Sequence, residues 1–296
     1  MSAGLDMPLP AEAALPPPEG RHLLARFLKH RNGAVGSLIV LVVVLGALIG
    51  PLVVPHDYEA TDLLNTWSPP TAENWLGTDK LGRDIFSRLV VGARTSLLVA
   101  GAVLAITLTL GILIGMTAGY LGGRLDNLLM RIVDLTLAFP EVVFAILVAA
   151  VIGPGTLTVI VALSLVWWPG IARLTRSLVL TLRSELFVDA AIVSGTPTGA
   201  IFRRHMLPNI AAPIIVRASV GVGFIIMAEA TLSFLGLGIQ EPQPSWGGMI
   251  RDGLPALQTD PYLAMFGSVA LGVTVIGFNL LGDALRDVLD PRLEGR

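Results

Sequence analysis

Three stretches of this chain, residues 34–54, 95–120 and 262–282, contain no charged side chain and consist mainly of valine, leucine, isoleucine, alanine and glycine. Each is long enough to cross the roughly 30 Å hydrocarbon core of a bilayer as a helix. Inside that core no water satisfies backbone N–H and C=O groups, so helices that close their own hydrogen bonds are the expected form. The rest of the chain has to be accommodated around these spans. A composition 53% hydrophobic and 14% charged, with mean hydropathy +0.75, calls for more of them and excludes an ordinary soluble domain. The chain has no cysteine, which removes disulfides and thiolate metal sites. His22 and His56 are isolated and suggest no metal site, and nothing points to nucleic acid.

Residues 128–170 need two further spans, separated by the Gly153-Pro154-Gly155 turn, the second of them short at 156–170. Residues 211–236 make another. The expectation is an all-α integral membrane protein with six transmembrane helices, the membrane domain occupying 34–290. Basic residues set its sidedness. With the N-terminus inside, Arg21, Arg26, Lys29, Arg31, Arg173, Arg176, Arg203, Arg204 and Arg286 fall on the cytoplasmic side. The external segments hold Lys80, Arg83, Arg88, Arg94 and Arg251, diluted by acids such as Asp57, Glu59, Asp79 and Asp84. Six spans then put both termini in the cytoplasm of a cell (inner) membrane protein.

Residues 1–20, rich in proline and alanine with acids but no lysine or arginine, read as a disordered cytoplasmic tail and not as a secretory signal. Residues 21–33 place Leu23, Leu24, Phe27 and Leu28 on one helical face, an amphipathic helix suited to the membrane surface. Residues 291–296 form a second cytoplasmic tail. The external segments, 55–94 and 237–261, are dense in turn formers and are expected to shape an outer vestibule. The first ends in an amphipathic run at 85–97.

Residues 184–208 form the most unusual polar segment, with two short helices expected around a glycine break. Ser184 is placed to cap the first helix, and Glu185 and Asp189 favour its positive end. Gly195 suits the left-handed C-terminal position, and Pro197 suits the start of a second helix. Ala190, Ala191 and Gly195 leave room for a partner to approach the backbone closely. An ordinary interfacial loop with amphipathic helices is the other reading of the same residues.

Asp189-Ala190-Ala191, then Gly195 after three residues, then His205-Met206-Leu207-Pro208 after nine, resembles the cytoplasmic signature of permease subunits of ABC importers. In that pattern Asp189 stands for the family's glutamate and His205 for its isoleucine. The stretch 204–209 looks like the variant of peptide and nickel importers. Gly77-Thr78-Asp79-Lys80-Leu81-Gly82-Arg83-Asp84, Ala138-Phe139-Pro140, the run 232–238 and Ser245-Trp246-Gly247-Gly248 match the same subgroup in order. The resemblance spans about residues 21–290 and is greatest to the C-type permease of dipeptide and oligopeptide systems. It implies a type I importer permease fold that forms half of a translocation pathway beside a second homologous permease. It also implies an external binding protein that delivers ligand, and two separate ATPase subunits that hold ATP and Mg. Asp189, Ala190, Ala191 and Gly195 would dock in an ATPase groove, with Arg204, His205 and Pro208 fixing the second half of the loop. None would be catalytic, and the chain itself would need no cofactor. Ligands other than peptide, nickel chelates or glutathione-like molecules, stay open.

No phosphate-binding G-x-x-x-x-G-K-[ST] motif occurs in the chain, so energy must come from a partner or an ion gradient. A charge in mid-membrane costs roughly 2.5–3.5 kcal/mol on insertion scales. Asp134 and Glu141 in the third span and Glu229 in the fifth therefore need a partner or water. They line a route for ligand or protons, or they hold the bundle together. Asp134 lies one turn from Arg131, its expected partner. The rival function is a self-contained proton-coupled secondary transporter working through these carboxylates. Trp167 and Trp168 read as an aromatic anchor at the inner interface, and the spacing Gly111, Gly115, Gly119 as a close helix contact.

Overall fold

The computed structural model describes Phe27 and residues 30–289. The tails expected at 1–20 and 291–296, and most of the surface helix expected at 21–33, lie outside the described residues. Those described fold into α1 (Arg31–Val53), α2 (Ile85–Leu121), α3 (Gly123–Leu137), α4 (Glu141–Ile152), α5 (Thr156–Arg183), α6 (Leu186–Val193), α7 (Thr198–Ile201), α8 (Leu207–Phe234), α9 (Trp246–Gly253) and α10 (Tyr262–Leu289). Five helical runs are long and apolar enough to cross a membrane, α7 and α8 counting as one run, Thr198–Phe234. The sixth crossing is α3 with α4, bent by 89° between them. An even number of crossings returns α10 to the end where α1 begins, and His30 Nε2 lies 3.2 Å from Asp287 Oδ2 there. The 184–208 loop sits at that end. The polar segments before α2 and around α9 sit at the other, called the far end below.

Several expected boundaries move. The second span is continuous with the amphipathic run before it, because Asp84 caps α2 by accepting from Ser87 N at 2.8 Å and Ser87 Oγ at 2.7 Å. The fourth is not short: α5 runs through Pro169 and Gly170 to Arg183. Its two apparent loop arginines are instead paired across helices. Arg176 donates to Asp126 of α3 from Nε and Nη2, at 2.5 and 2.6 Å, and Arg173 donates to Asp134 at 2.5 Å. Asp134 thus pairs with Arg173 of another helix and not with Arg131. The fifth span begins well before residue 211, and the sixth continues to Leu289. Trp168 is no interface anchor. It is buried with Val133 and Ala172 between α3 and α5.

The interior is built on α2 against α5. Gly111, Gly115 and Gly119 of α2 face Trp168, Ile171, Ala172, Thr175, Arg176 and Val179 of α5 so closely that backbone meets backbone. The close helix contact read from the glycine spacing is therefore made within this chain. Around this pair, α8 packs on α10, and α10 on α1.

Candidate functional site

In the 184–208 loop, α6 is held by an inward face of Val188 and Ala191, three residues apart as one helical face requires. They join a buried cluster with Met116, Val179, Ile201, Met206, Ile210 and Ile214. The opposite face is open. Leu186 and Val193 are 85% and 88% exposed, and Phe187, Asp189, Ala190 and Ile192 lie on the surface beside them. Ala191, expected on the docking face, is instead turned into its own chain. Ser184 does not cap α6. Its hydroxyl donates to Thr181 O at 2.9 Å and closes α5, and Glu185 occupies the cap position without a side-chain bond.

The end of α6 follows expectation. Gly195 adopts φ +73°, with Thr196 N donating to Ala191 O and Gly195 N to Ile192 O, both at 3.0 Å. These two bonds form a complete Schellman motif, and only glycine enters that backbone region without strain. A Cβ at Gly195 would meet nothing within 4 Å, so its free face looks outward.

The second half of the loop is not a separate short helix. From Thr198 it runs through a π-helical turn, Phe202–Met206, directly into α8. Ile201 and Met206, both buried, are five residues apart, which on a regular α-helix puts them about 140° out of register. The π turn absorbs the extra residue and returns both to one face. Met206, fully buried, is the fastening residue that sequence reading missed. Arg204 and Pro208 are exposed, and the His205 ring stands 6.3 Å from that of Phe187.

The three in-span carboxylates are not brought together. Asp134 is exposed and bound to Arg173. Glu141 starts α4 after the Pro140 bend and borders a small cavity with Trp167 and Phe224. Glu229 has no exposure. Its Oε2 accepts from Ser96 of α2 and its Oε1 from Ser233, both at 2.8 Å, so it ties α8 to α2.

At the far end the two polar segments interlock. Asp79 Oδ1 accepts from Leu81 N and Arg83 N, shaping the loop, and its Oδ2 lies 2.7 Å from Arg83 Nε and 3.4 Å from Arg88 Nε. Arg83 reaches across to Glu241 at 3.0 Å, and Lys80 bridges Glu241 and Asp252. Burial would raise the Glu241 pKa, but hydrogen bonds from Arg83 and Lys80 outweigh it and hold the carboxyl at about 2. Trp246, capped into α9 by Ser245, donates from Nε1 to Leu89 O at 3.1 Å. The motif at 77–84 therefore meets the second external segment at Glu241 and Asp252, on either side of the 245–248 motif.

Residues 111–295 match the family described as binding-protein-dependent transport system inner membrane component, and residues 20–70 match the N-terminal TM domain of oligopeptide transport permease C. The chain is 40% identical over 287 residues to the dipeptide transport system permease protein DppC of Alkalihalophilus pseudofirmus, covering 94% of each. It is 39% identical over 270 residues to the oligopeptide transport system permease protein OppC of Bacillus subtilis, covering 91% of this chain and 88% of that one. It is 39% identical over 277 residues to the glutathione transport system permease protein GsiD of Pectobacterium atrosepticum, covering 93% and 91%. Six helical crossings, a seated surface loop and these matches over nearly the whole chain lead to one conclusion: the protein belongs to the binding-protein-dependent transport system inner membrane components, as a C-type permease subunit of an ABC importer and not an enzyme.

Proposed function

We propose that this permease forms half of the translocation pathway for dipeptides or oligopeptides in an inner membrane, with both termini cytoplasmic. A second homologous permease completes the pathway, and an external binding protein delivers the ligand. Two ATPase subunits carry the ATP and Mg, and one of them docks on the 184–208 loop. The observation that carries this reading is the two-faced helix α6: fastened to its own chain by Val188 and Ala191, and presenting Leu186, Asp189, Ala190 and Val193 beside an open Gly195. Such a helix transmits a push because it cannot slide relative to α5 and α8 without breaking the cluster beneath it. The peptide ligand is favoured by the names of the relatives, and glutathione, itself a tripeptide, falls in the same chemical class.

Gly195→Trp tests the docking. In the complete complex it should leave membrane insertion intact and lower ATP-driven uptake of a labelled dipeptide on the order of 100-fold, because a bulky ring blocks the central contact of an interface. Gly195→Ala, which adds about 1–2 kcal/mol of backbone strain in the left-handed region, should keep most uptake. Undiminished uptake by the tryptophan variant would remove the coupling role. Glu229→Gln separates this reading from a proton carrier. The amide keeps the shape and a hydrogen-bond acceptor, so uptake should stay within roughly two-fold of the parent, whereas a proton carrier would lose it entirely.

A further inference from the structure

At the far end a cleft of about 830 Å³ opens between the end of α1, the upper part of α2 and the start of α5. Its size is that of a small-ligand site. Leu98, Val99, Ala102 and Ile160 give it apolar walls, and His56, Asp57, Arg94, Thr95 and Gln243 give it a polar rim. The state of these charges separates the rim from its neighbourhood. A few residues away, Asp79, Lys80, Arg83, Glu241 and Asp252 neutralise one another in direct ion pairs. Arg94 and Asp57 take part in no ion pair among the described residues, with each other or with that cluster. Asp57 Oδ1 accepts only from Glu59 N, at 3.0 Å. His56 Nδ1 is shielded from solvent with no hydrogen-bond partner.

A cleft with one open cation, one open anion and apolar walls is complementary to a small zwitterion whose side chains need not be specified. Resting on the peptide reading above, we infer that this cleft is a binding station for a short peptide with free termini. Arg94 receives the α-carboxylate and Asp57 the α-ammonium. Thr95 and Gln243 supply hydrogen bonds to the peptide group, and the Leu98–Ile160 wall accepts side chains without selecting among them. Charge-assisted bonds to the two termini are stronger than neutral ones, so recognition rests on what every peptide shares. A zwitterionic lipid headgroup such as phosphatidylethanolamine presents the same pair of charges, and the test has to tell the two apart.

The absence of cysteine from the chain makes a direct probe available. Leu98→Cys, at an exposed position on the cleft wall, is introduced into the complete importer and labelled with a maleimide. Millimolar dialanine should slow labelling several-fold, and dialanine amide, which lacks the carboxylate, should not. Adding Arg94→Gln should abolish protection and lower dialanine uptake roughly ten-fold or more, the scale of a lost charge-assisted bond. Arg94→Lys should restore part of both. If the parent complex imports dialanine yet the peptide gives no protection, the cleft is not the station, though the peptide reading stands. If labelling responds to added phosphatidylethanolamine and not to dialanine, the cleft is a lipid site and the inference falls. If the parent complex imports neither dialanine nor a longer alanine peptide, the peptide reading fails and the inference falls with it.

Discussion

Gly115→Leu should leave almost no correctly folded chain in the membrane. A Cβ at this position would lie 2.5 Å from the Ala172 carbonyl oxygen, 2.6 Å from Thr175 Cβ and 3.0 Å from Arg176 N. Two of these three neighbours are backbone of α5, which cannot turn aside as a side chain can. Overpacking a core by single methylenes already costs about 1–3 kcal/mol. Here a whole isobutyl group must force two helices apart along their length. The shift would strip Gly111 and Gly119 of their contacts with Ile171 and Val179, and pull Arg176 away from Asp126. A loss of about 4 kcal/mol or more is expected, in the range where one substitution unfolds a marginal protein. Gly101→Leu is the matched control on the same helix, since a Cβ there meets nothing within 4 Å. Thermal aggregation of the detergent-solubilised chain should separate the two variants clearly. Equal stability would mean that α2 and α5 are not packed through Gly115.

How much of this was legible follows from where each residue finds its partner. The uncharged runs announce themselves because the demand for apolar side chains in a bilayer is met locally, residue by residue. The Schellman end of α6 was legible for the same reason, since its two bonds join Gly195 and Thr196 to Ile192 and Ala191 within a few residues. The course of α5 was not. Pro169 and Gly170 read as a stop, and Arg173 and Arg176 read as a cytoplasmic loop, because the carboxylates that satisfy them lie on α3, 39 and 50 residues earlier in the chain. Asp134 misled in the reverse direction: Arg131 is its neighbour in sequence, but Arg173 is its neighbour in space. Trp168 reads as an interface anchor because tryptophan is enriched there, and the continuation of α5 past Pro169 buries it. The π turn before α8 hid Met206 by breaking the α-helical period that would have assigned it to the core. Least visible was the far-end cluster. Arg83 and Glu241 are 158 positions apart, so the two external segments that hold them could be read one by one but not joined.

That cluster carries the other large effect. Asp79→Ala should free the far-end segments from the bundle, and the reason is the number of groups a single carboxylate serves. One oxygen accepts two backbone N–H groups, at 2.8 and 3.0 Å, and fixes the turn from Asp79 to Arg83. The other faces two guanidinium groups that are almost as buried as Asp79 itself. Arg88 Nε already lacks a hydrogen bond, and Asp79 is the nearest counter-charge given to it. Removing Asp79 leaves two buried arginines repelling each other. Arg83 retains Glu241, while Arg88 retains only the Tyr58 carbonyl at 3.2 Å. Breaking a buried pair by deleting one partner costs about 3–5 kcal/mol, because the surviving charge stays desolvated. Water must then enter, and the segment from His56 to Asp84 loses its seat on α2 and on the Glu241 loop. Limited proteolysis from the far side should cut this segment in Asp79→Ala under conditions where the parent is resistant. Asp79→Asn keeps the acceptor for the turn but not the charge, so it should fall between the two. Glu59→Ala, an exposed acid in the same segment, should behave as the parent. Identical cleavage of parent and Asp79→Ala would show that the ion pairs contribute nothing to the attachment of this segment.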